Sequence, residues 1–139
     1  MEEQPFVFYI GGKELKSTDT IAYLHNRELA EFPSEIKCLT NLQHLNLDFN
    51  QITILPPEIN FLTNLKTLSL SWNQLTYLPK EIGKLSSLTD LDLRANHLSI
   101  LPPEIGNLEG LERLILFYNP WESKWGTLLN EKTQLDQFR

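Results

Sequence analysis

The sequence predicts an α/β solenoid, in which short coils of chain stack on one another. The first observation is a pattern of leucine and asparagine that begins at residues 42, 65, 88 and 111, so that each step is 23 residues. The second is that apolar residues within each unit follow first the period of a strand and then that of a helical turn. A fixed period in this range is typical of stacked repeats, since each unit buries its apolar face only against its neighbours.

One complete unit, residues 42–64, reads LQHLNLDFNQITILPPEINFLTN. Its first half keeps leucine at positions 1, 4 and 6 and asparagine at position 9, whereas the residues between them vary. Its second half keeps Leu-Pro at positions 14–15, Glu-Ile at 17–18 and leucine at 21. Residues 19–41 share the apolar positions but have Arg27 at position 9, so they are interpreted as a degenerate first repeat. Asn26 stands one place earlier, which leaves a local change of register open.

The pattern LxxLxLxxNxL followed by LPxEIxxL resembles that of the leucine-rich repeat family over residues 19–121. The 23-residue LPxEI form is similar to intracellular repeat proteins of bacteria and to the Ras-group repeat proteins of plants. The resemblance implies a single domain over residues 1–139. This domain is expected to be a horseshoe segment of about five repeats, with parallel strands on its concave side.

Positions 3–5 of each unit are predicted to form a short strand. Because side chains alternate across a strand, the leucines at positions 4 and 6 point into the core, and positions 3, 5 and 7 point away from it. The asparagine at position 9 lies where the chain turns inward, and a buried amide must be hydrogen-bonded. The family resemblance implies a ladder along Asn50, Asn73, Asn96 and Asn119. The alternative is a set of solvated turn asparagines.

The second half of each unit begins with prolines, which exclude a helix interior, and we expect a short helical turn after them. A glutamate recurs at position 17 as Glu58, Glu81 and Glu104. These carboxylates are interpreted as acceptors for free backbone N–H groups at the start of the turn, rather than as catalytic acids.

Both ends of the chain are predicted to be capped. Residues 5–15, PFVFYIGGKEL, indicate a hairpin with a Gly-Gly turn, so residues 1–18 would cover the open edge of the first repeat. Trp121 replaces the usual leucine at position 11 of the last repeat. The helix-like spacing of apolar residues in 122–139 predicts a C-terminal helical cap.

The variable positions 3, 5, 7 and 8 are predicted to project from the concave face or its rim, where they would bind another protein or a peptide. Position 8 is aromatic in three of five units, and interfaces favour exposed aromatics beside charges. The alternative is that these aromatics shield the core. In the last repeat, three large side chains are expected either to be exposed together with Arg113 or to be covered by the C-terminal segment. The candidate partner-binding residues are His44, Asn46, Asp48, Phe49, Thr67, Ser69, Ser71, Trp72, Asp90, Asp92, Arg94, Arg113, Ile115, Phe117 and Tyr118.

Neither a catalytic residue, a metal ligand set nor a cofactor is predicted. The sequence has no HExxH, no glycine-rich phosphate loop and no nucleophile motif. His25 and His44 fall about four residues apart along neighbouring strands, roughly 13 Å, which is too far for shared metal ligation. Five strands spaced about 4.8 Å apart make a face only ~20 Å across, which suits a peptide, a loop or one helix of a partner.

Charge and hydropathy narrow the partners further. A net charge of −6 argues against nucleic acid as a partner. A single cysteine, Cys38, excludes an intramolecular disulfide, and no apolar run approaches the ~20 residues of a membrane helix. We expect no membrane insertion and a cytoplasmic monomer or weak homodimer, with export lacking a recognisable signal peptide as the alternative. A signalling regulator or exported effector that binds a small GTPase or a host protein is the alternative function.

Overall fold

The computed structural model describes residues 2–122, and their fold is the predicted repeat solenoid. Five strands of three residues form one parallel sheet in chain order. Each strand occupies positions 3–5 of its repeat, as the alternation of leucines predicted. The strands are β3 (Ile21–Tyr23), β4 (His44–Asn46), β5 (Thr67–Ser69), β6 (Asp90–Asp92) and β7 (Arg113–Ile115).

Neighbouring strands pair residues that are one repeat apart. Ala22 stands beside Leu45, and Leu45 beside Leu68, so the degenerate first repeat keeps the register of the others. The local change of register considered for Asn26 is therefore absent. The leucine at the centre of each of the strands β4 to β7 is at most 2% exposed. Burying a leucine contributes about 1.5–3 kcal/mol, so this column of stacked leucines holds the repeats together.

The predicted asparagine ladder is present. Asn73 shows its pattern: its Nδ2 donates to the carbonyl oxygens of Leu47 and Leu70, and its Oδ1 accepts from Ile52 N at 3.0 Å. Each ladder asparagine thus ties its own turn to the preceding repeat. The same contacts recur at Asn50, Asn96 and Asn119.

The side opposite the strands consists of one-turn 3-10 helices, and residues 2–122 contain no α-helix. The expected hydrogen bonds from backbone N–H groups to Glu58, Glu81 and Glu104 are absent among the described residues, so that interpretation was wrong. Ile59 N already donates to Pro56 O, and a proline at the first helical position has no N–H. Few N–H groups are therefore left for a carboxylate. The 3-10 helices are Ser34–Cys38, Pro57–Phe61, Lys80–Lys84 and Pro103–Asn107.

The N-terminal hairpin consists of β1 (Val7–Ile10) and β2 (Lys13–Lys16), which pair antiparallel in a separate two-stranded sheet. Gly11 and Gly12 form its turn with φ angles of 54° and 77°, a backbone that suits glycine. The hairpin joins the repeats through side chains. Its Ile10 and Leu15 are buried in the core, and Arg27 Nη1 donates to Gly11 O at 3.1 Å. Arg27, at the ladder position, therefore fastens the cap.

At the other end, Trp121 is buried in the position that leucine or isoleucine fills elsewhere. Its Nε1 donates to Leu116 O at 3.0 Å, so the indole satisfies a carbonyl of the last repeat while closing the core. The predicted helical cap over residues 122–139 lies, apart from Glu122, outside the described residues.

Candidate functional site

The outward side chains of the parallel sheet form a surface that we call the strand face. It consists of positions 3 and 5 of each repeat, and the family resemblance places it on the concave side. Most of these side chains are half-buried, whereas Arg113, Ile21 and Tyr23 are exposed. Ile21 and Tyr23 are absent from the predicted site although they occupy the same positions, and their equivalence to His44 and Asn46 was the available signal.

Polar side chains on the strand face are held by hydrogen bonds, one between neighbouring strands and two within a repeat. His44 Nδ1 lies 2.9 Å from Thr67 Oγ1 in the next strand. Thr89 Oγ1 donates to Asp90 Oδ2 at 2.8 Å. Asn46 Oδ1 accepts from the backbone N–H of Asp48 at 2.9 Å. These contacts hold the central side chains in fixed positions.

Asp48 reaches from its own repeat to the next. Its Oδ1 accepts from Ser69 Oγ and from the backbone N–H of Ser71. Ser71 is only 1% exposed, and its hydroxyl has no partner among the described residues. The prediction that Ser71 projects towards a partner was therefore wrong. Position 7 follows the strand, where the chain bends away from the strand face, so alternation no longer decides its exposure.

Asp92 and Arg94 form an ion pair beside the centre of the strand face. Arg94 Nη2 lies 2.9 Å from Asp92 Oδ2, and Arg94 N donates to Asp92 Oδ1. Burial raises the pKa of Asp92, the charge of Asp48 raises it further, and the contacts with Arg94 offset this in part. The guanidinium of Arg94 also lies 5.6 Å from the centre of the Phe117 ring.

An opening of about 270 Å³ lies between β5, β6 and β7. Asp90 and Arg113 are register partners in neighbouring strands and both line it, yet no ion pair joins them. The opening is therefore bordered by charges that do not neutralise each other by direct contact. Its lining residues are Thr67, Leu68, Ser69, Asp90, Leu91, Asp92, Arg113 and Ile115.

Position 8 has a left-handed backbone in every repeat, with φ between 53° and 61°. This backbone was not predicted from the sequence, although Asn26 at position 8 of the first repeat was a signal, because asparagine adopts it more readily than most residues. The residues concerned are Asn26, Phe49, Trp72, Ala95 and Tyr118.

The three aromatics at position 8 are exposed, and we call them the aromatic rim. Phe49 is 56% exposed, Trp72 50% and Tyr118 68%, so the alternative in which they shield the core is excluded. The rings of Phe49 and Trp72 stack with their centres 5.8 Å apart and their planes at 7°. Stacking fixes two apolar rings side by side on the surface.

The last repeat differs from its prediction in part. Tyr118 is exposed, but Ile115 and Phe117 are half-buried. Phe117 meets the Tyr118 ring edge-on at 5.2 Å, and on another side it contacts the Arg94 guanidinium. Arg94 and Tyr118 thus cover part of Phe117.

Residues 2–122 contain no group of three or more His, Cys, Asp or Glu side chains placed to hold a metal ion. In the same residues, no helix is long and apolar enough to cross a membrane.

The sequence matches a leucine rich repeat family model over residues 40–98 and again over 63–120. The two matches together span residues 40–120, which is more than half of the chain. The chain therefore belongs to the leucine-rich repeat family. No curated protein sequence gave a significant match.

Two solved structures illustrate the similarity. The leucine-rich repeat protein LIC12759 of Leptospira interrogans is 37% identical, with a TM-score of 0.65 over 83% of this chain. The plant peptide hormone receptor RGFR1, solved in complex with RGF2, is 39% identical, with a TM-score of 0.61 over 73% of this chain. The matched part is 35% of the length of the first protein and 17% of the second.

Proposed function

We propose that the chain is a non-enzymatic module that binds another protein or a peptide through the strand face and the aromatic rim. The observation that carries this proposal is the aromatic rim itself. Its side chains are at least half exposed and stand on a left-handed backbone, so neither the core nor the local backbone accounts for them.

The residues at position 8 differ in how much the left-handed backbone costs them. A left-handed backbone costs roughly 1–2 kcal/mol for a residue with a Cβ, and less for asparagine. Asn26 takes this position in the first repeat, whereas Phe49 and Trp72 take it in the second and third. Because these residues leave at least half of their surface exposed, burial offsets this cost only in part. Such local strain is typical of functional surfaces, and aromatic residues are enriched among the residues that dominate binding.

A relative that was solved with a bound ligand supports a protein or a peptide as the kind of partner. RGFR1, a plant peptide hormone receptor, was solved in complex with RGF2. The strand face here has five strands and is therefore ~20 Å across. A surface of that width suits a peptide, a loop or one helix of a partner better than a broad protein surface.

The experiment is affinity capture from an extract of the source cells with the full-length chain, followed by mass spectrometry. Trp72→Asn is expected to lower recovery of a specific partner about tenfold or more, the effect typical of an interface residue that contributes ~1.4 kcal/mol. The substitution removes an exposed ring while placing a residue that suits the backbone. The fold should therefore persist, as thermal unfolding would verify.

Tyr77→Asn is the matched control. Tyr77 lies in the same repeat, is also 50% exposed and lies outside both the strand face and the aromatic rim. Its replacement is expected to leave recovery unchanged. If Phe49→Asn and Trp72→Asn retained the partner while Tyr77→Asn lost it, the binding surface would lie elsewhere on the molecule.

A further inference from the structure

We infer that the opening between β5, β6 and β7 receives the side chain of a basic residue, arginine or lysine, from an extended partner peptide lying across the strand face. This inference rests on the proposed function and adds the chemistry of one residue of the partner. Charge complementarity is the argument for this occupant.

The carboxylates are concentrated where the opening lies. Asp90 and Asp92 are two residues apart in β6, so their side chains share one face, and both line the opening. Asp48 adds a third carboxylate that is close enough for its charge to act on Asp92. Arg94 is bound to Asp92.

Some of these carboxylate oxygens have no donor. Asp90 Oδ2 accepts from Thr89, and Asp48 Oδ1 accepts from Ser69 and Ser71. The other oxygen of each of these two carboxylates accepts no hydrogen bond from residues 2–122. These two oxygens are not among the buried side-chain atoms that lack a partner, so they are open to an incoming donor. The N–H groups of a lysine or arginine side chain would be suitable donors, because charge-assisted hydrogen bonds are the strong ones.

Arg113 is the cation placed to neutralise Asp90, but it forms no ion pair with Asp90. It stands beside Asp90 in the sheet register, but it is exposed and makes no ion pair with a described residue. The raised pKa of Asp92 agrees with this geometry, since burial and the charge of Asp48 outweigh the contacts with Arg94. A cation bound here would relieve unbalanced negative charge.

The walls of the opening suit the rest of a basic side chain. Ile115, which is half-buried on the strand face, lines the opening and gives apolar surface for the methylene stem of lysine or arginine. About 270 Å³ is room for one such side chain. The net charge of −6 on the whole chain would also attract a basic peptide over a longer range.

The test uses a displayed library of random 12-residue peptides selected on the full-length chain. The expected result is a set of binders that share an arginine or lysine at one aligned position. Synthetic copies, in which that residue is replaced by citrulline or glutamine, are expected to bind about 10- to 100-fold more weakly, as for loss of a charge-assisted contact.

Asp90→Asn and the double variant Asp90→Asn/Asp92→Asn locate the effect. Both are expected to weaken binding of the selected peptide, and replacement of its basic residue should then cause little further loss, because both changes remove the same contact. Among the described residues, the side chain of Asp90 accepts a hydrogen bond only from the neighbouring Thr89, so the single variant should fold even if the double variant does not. The control is Glu35→Gln/Glu58→Gln, which removes the same charge from two exposed residues of the 3-10 helices.

The possible failures are distinguishable. Binders without a shared basic residue, or with an acidic residue that depends on Arg113, would overturn this inference while leaving the proposed function intact. Binders that ignore both Trp72→Asn and the strand-face variants would overturn the proposed function. A library that yields no binder to the wild-type chain would count against both.

Discussion

Five residues at position 8 share a left-handed backbone, but only Asn26 is of a type that adopts it readily. This turn geometry recurs because the asparagine at position 9 must direct its side-chain amide into the ladder, as Asn73 does towards the carbonyl of Leu47. The side chain at position 8 is therefore carried outward, whatever its chemistry. The fold therefore determines the backbone conformation at position 8, and the exposed ring of Trp72 is available for another role.

Ala95→Gly tests the strain at position 8. Ala95 has φ of 54°, a conformation that glycine adopts without steric cost. The variant is expected to raise the free energy of unfolding by about 0.5–1 kcal/mol, measured by chemical denaturation.

Ala30→Gly is the control for the same chemical change. Ala30 is exposed and is not among the residues with positive φ, so added freedom in the unfolded chain should lower its stability slightly. If both variants were destabilised equally, the left-handed backbone would impose little strain. The energetic argument for the aromatic rim would then be lost.

Among the elements, the 3-10 helices pack side by side with little room to spare. Gly83 in Lys80–Lys84 lies so close to the next repeat that a Cβ would stand 2.6 Å from Glu104 O. A backbone atom cannot move aside as a flexible side chain can. At residue 83, glycine thus permits the close approach of two helices.

Gly83→Ala is expected to lower the free energy of unfolding by about 1–3 kcal/mol, because the added methyl forces two helices apart. The measurement is equilibrium denaturation of the full-length chain. Gly106 is the equivalent residue one repeat later, and a Cβ there would meet nothing within 4 Å. Gly106→Ala should therefore be neutral or slightly stabilising. Equal losses in the two variants would show that chain flexibility, rather than the contact with Glu104, determines the effect.

On the scale of the whole molecule, stacking brings together charges that no single repeat holds. Asp48 and Asp92 belong to repeats two apart, yet the charge of one raises the pKa of the other. Burial is the larger cause of that shift, and Arg94 offsets it only in part. The stability of the folded chain should therefore depend on the ionisation of Asp92.

Because the pKa of Asp92 is higher in the folded chain than its ordinary value of 3.8, its ionisation opposes folding. Its favourable contribution is fully present below pH 3.8 and is lost as pH rises through the folded pKa. In Asp92→Asn this loss should disappear, so the variant should gain stability relative to the wild type as pH rises to neutral.

The measurement is the free energy of unfolding of both chains across that pH range. Asp19→Asn is the control, since Asp19 lies outside the strand face and is bonded to Lys16 in the N-terminal cap. Parallel pH profiles for the wild type and Asp92→Asn would contradict the raised pKa.

The regular features of the solenoid could be predicted from the sequence, and its irregular ones could not. Leucine spacing predicted the strands and the core, and Asn73 and its equivalents were correctly placed in a ladder. Alternation failed at Ser71, because position 7 lies past the strand end, and it overestimated the exposure of Phe117, because Arg94 and Tyr118 contact it. Glu58 does not accept the expected hydrogen bonds, because the N–H of Ile59 is used within the 3-10 helix and proline has no N–H.

The period, the register and the division of each unit into fixed and variable positions follow from the sequence alone. They do so because identical leucines and asparagines recur wherever one repeat stacks on the next. The tertiary structure was needed to show which variable residues reach solvent. It also showed that Phe49 and Trp72 stack on a left-handed backbone and that Asp90 and Asp92 border an opening. These properties depend on contacts between side chains of different repeats, and no single repeat encodes them.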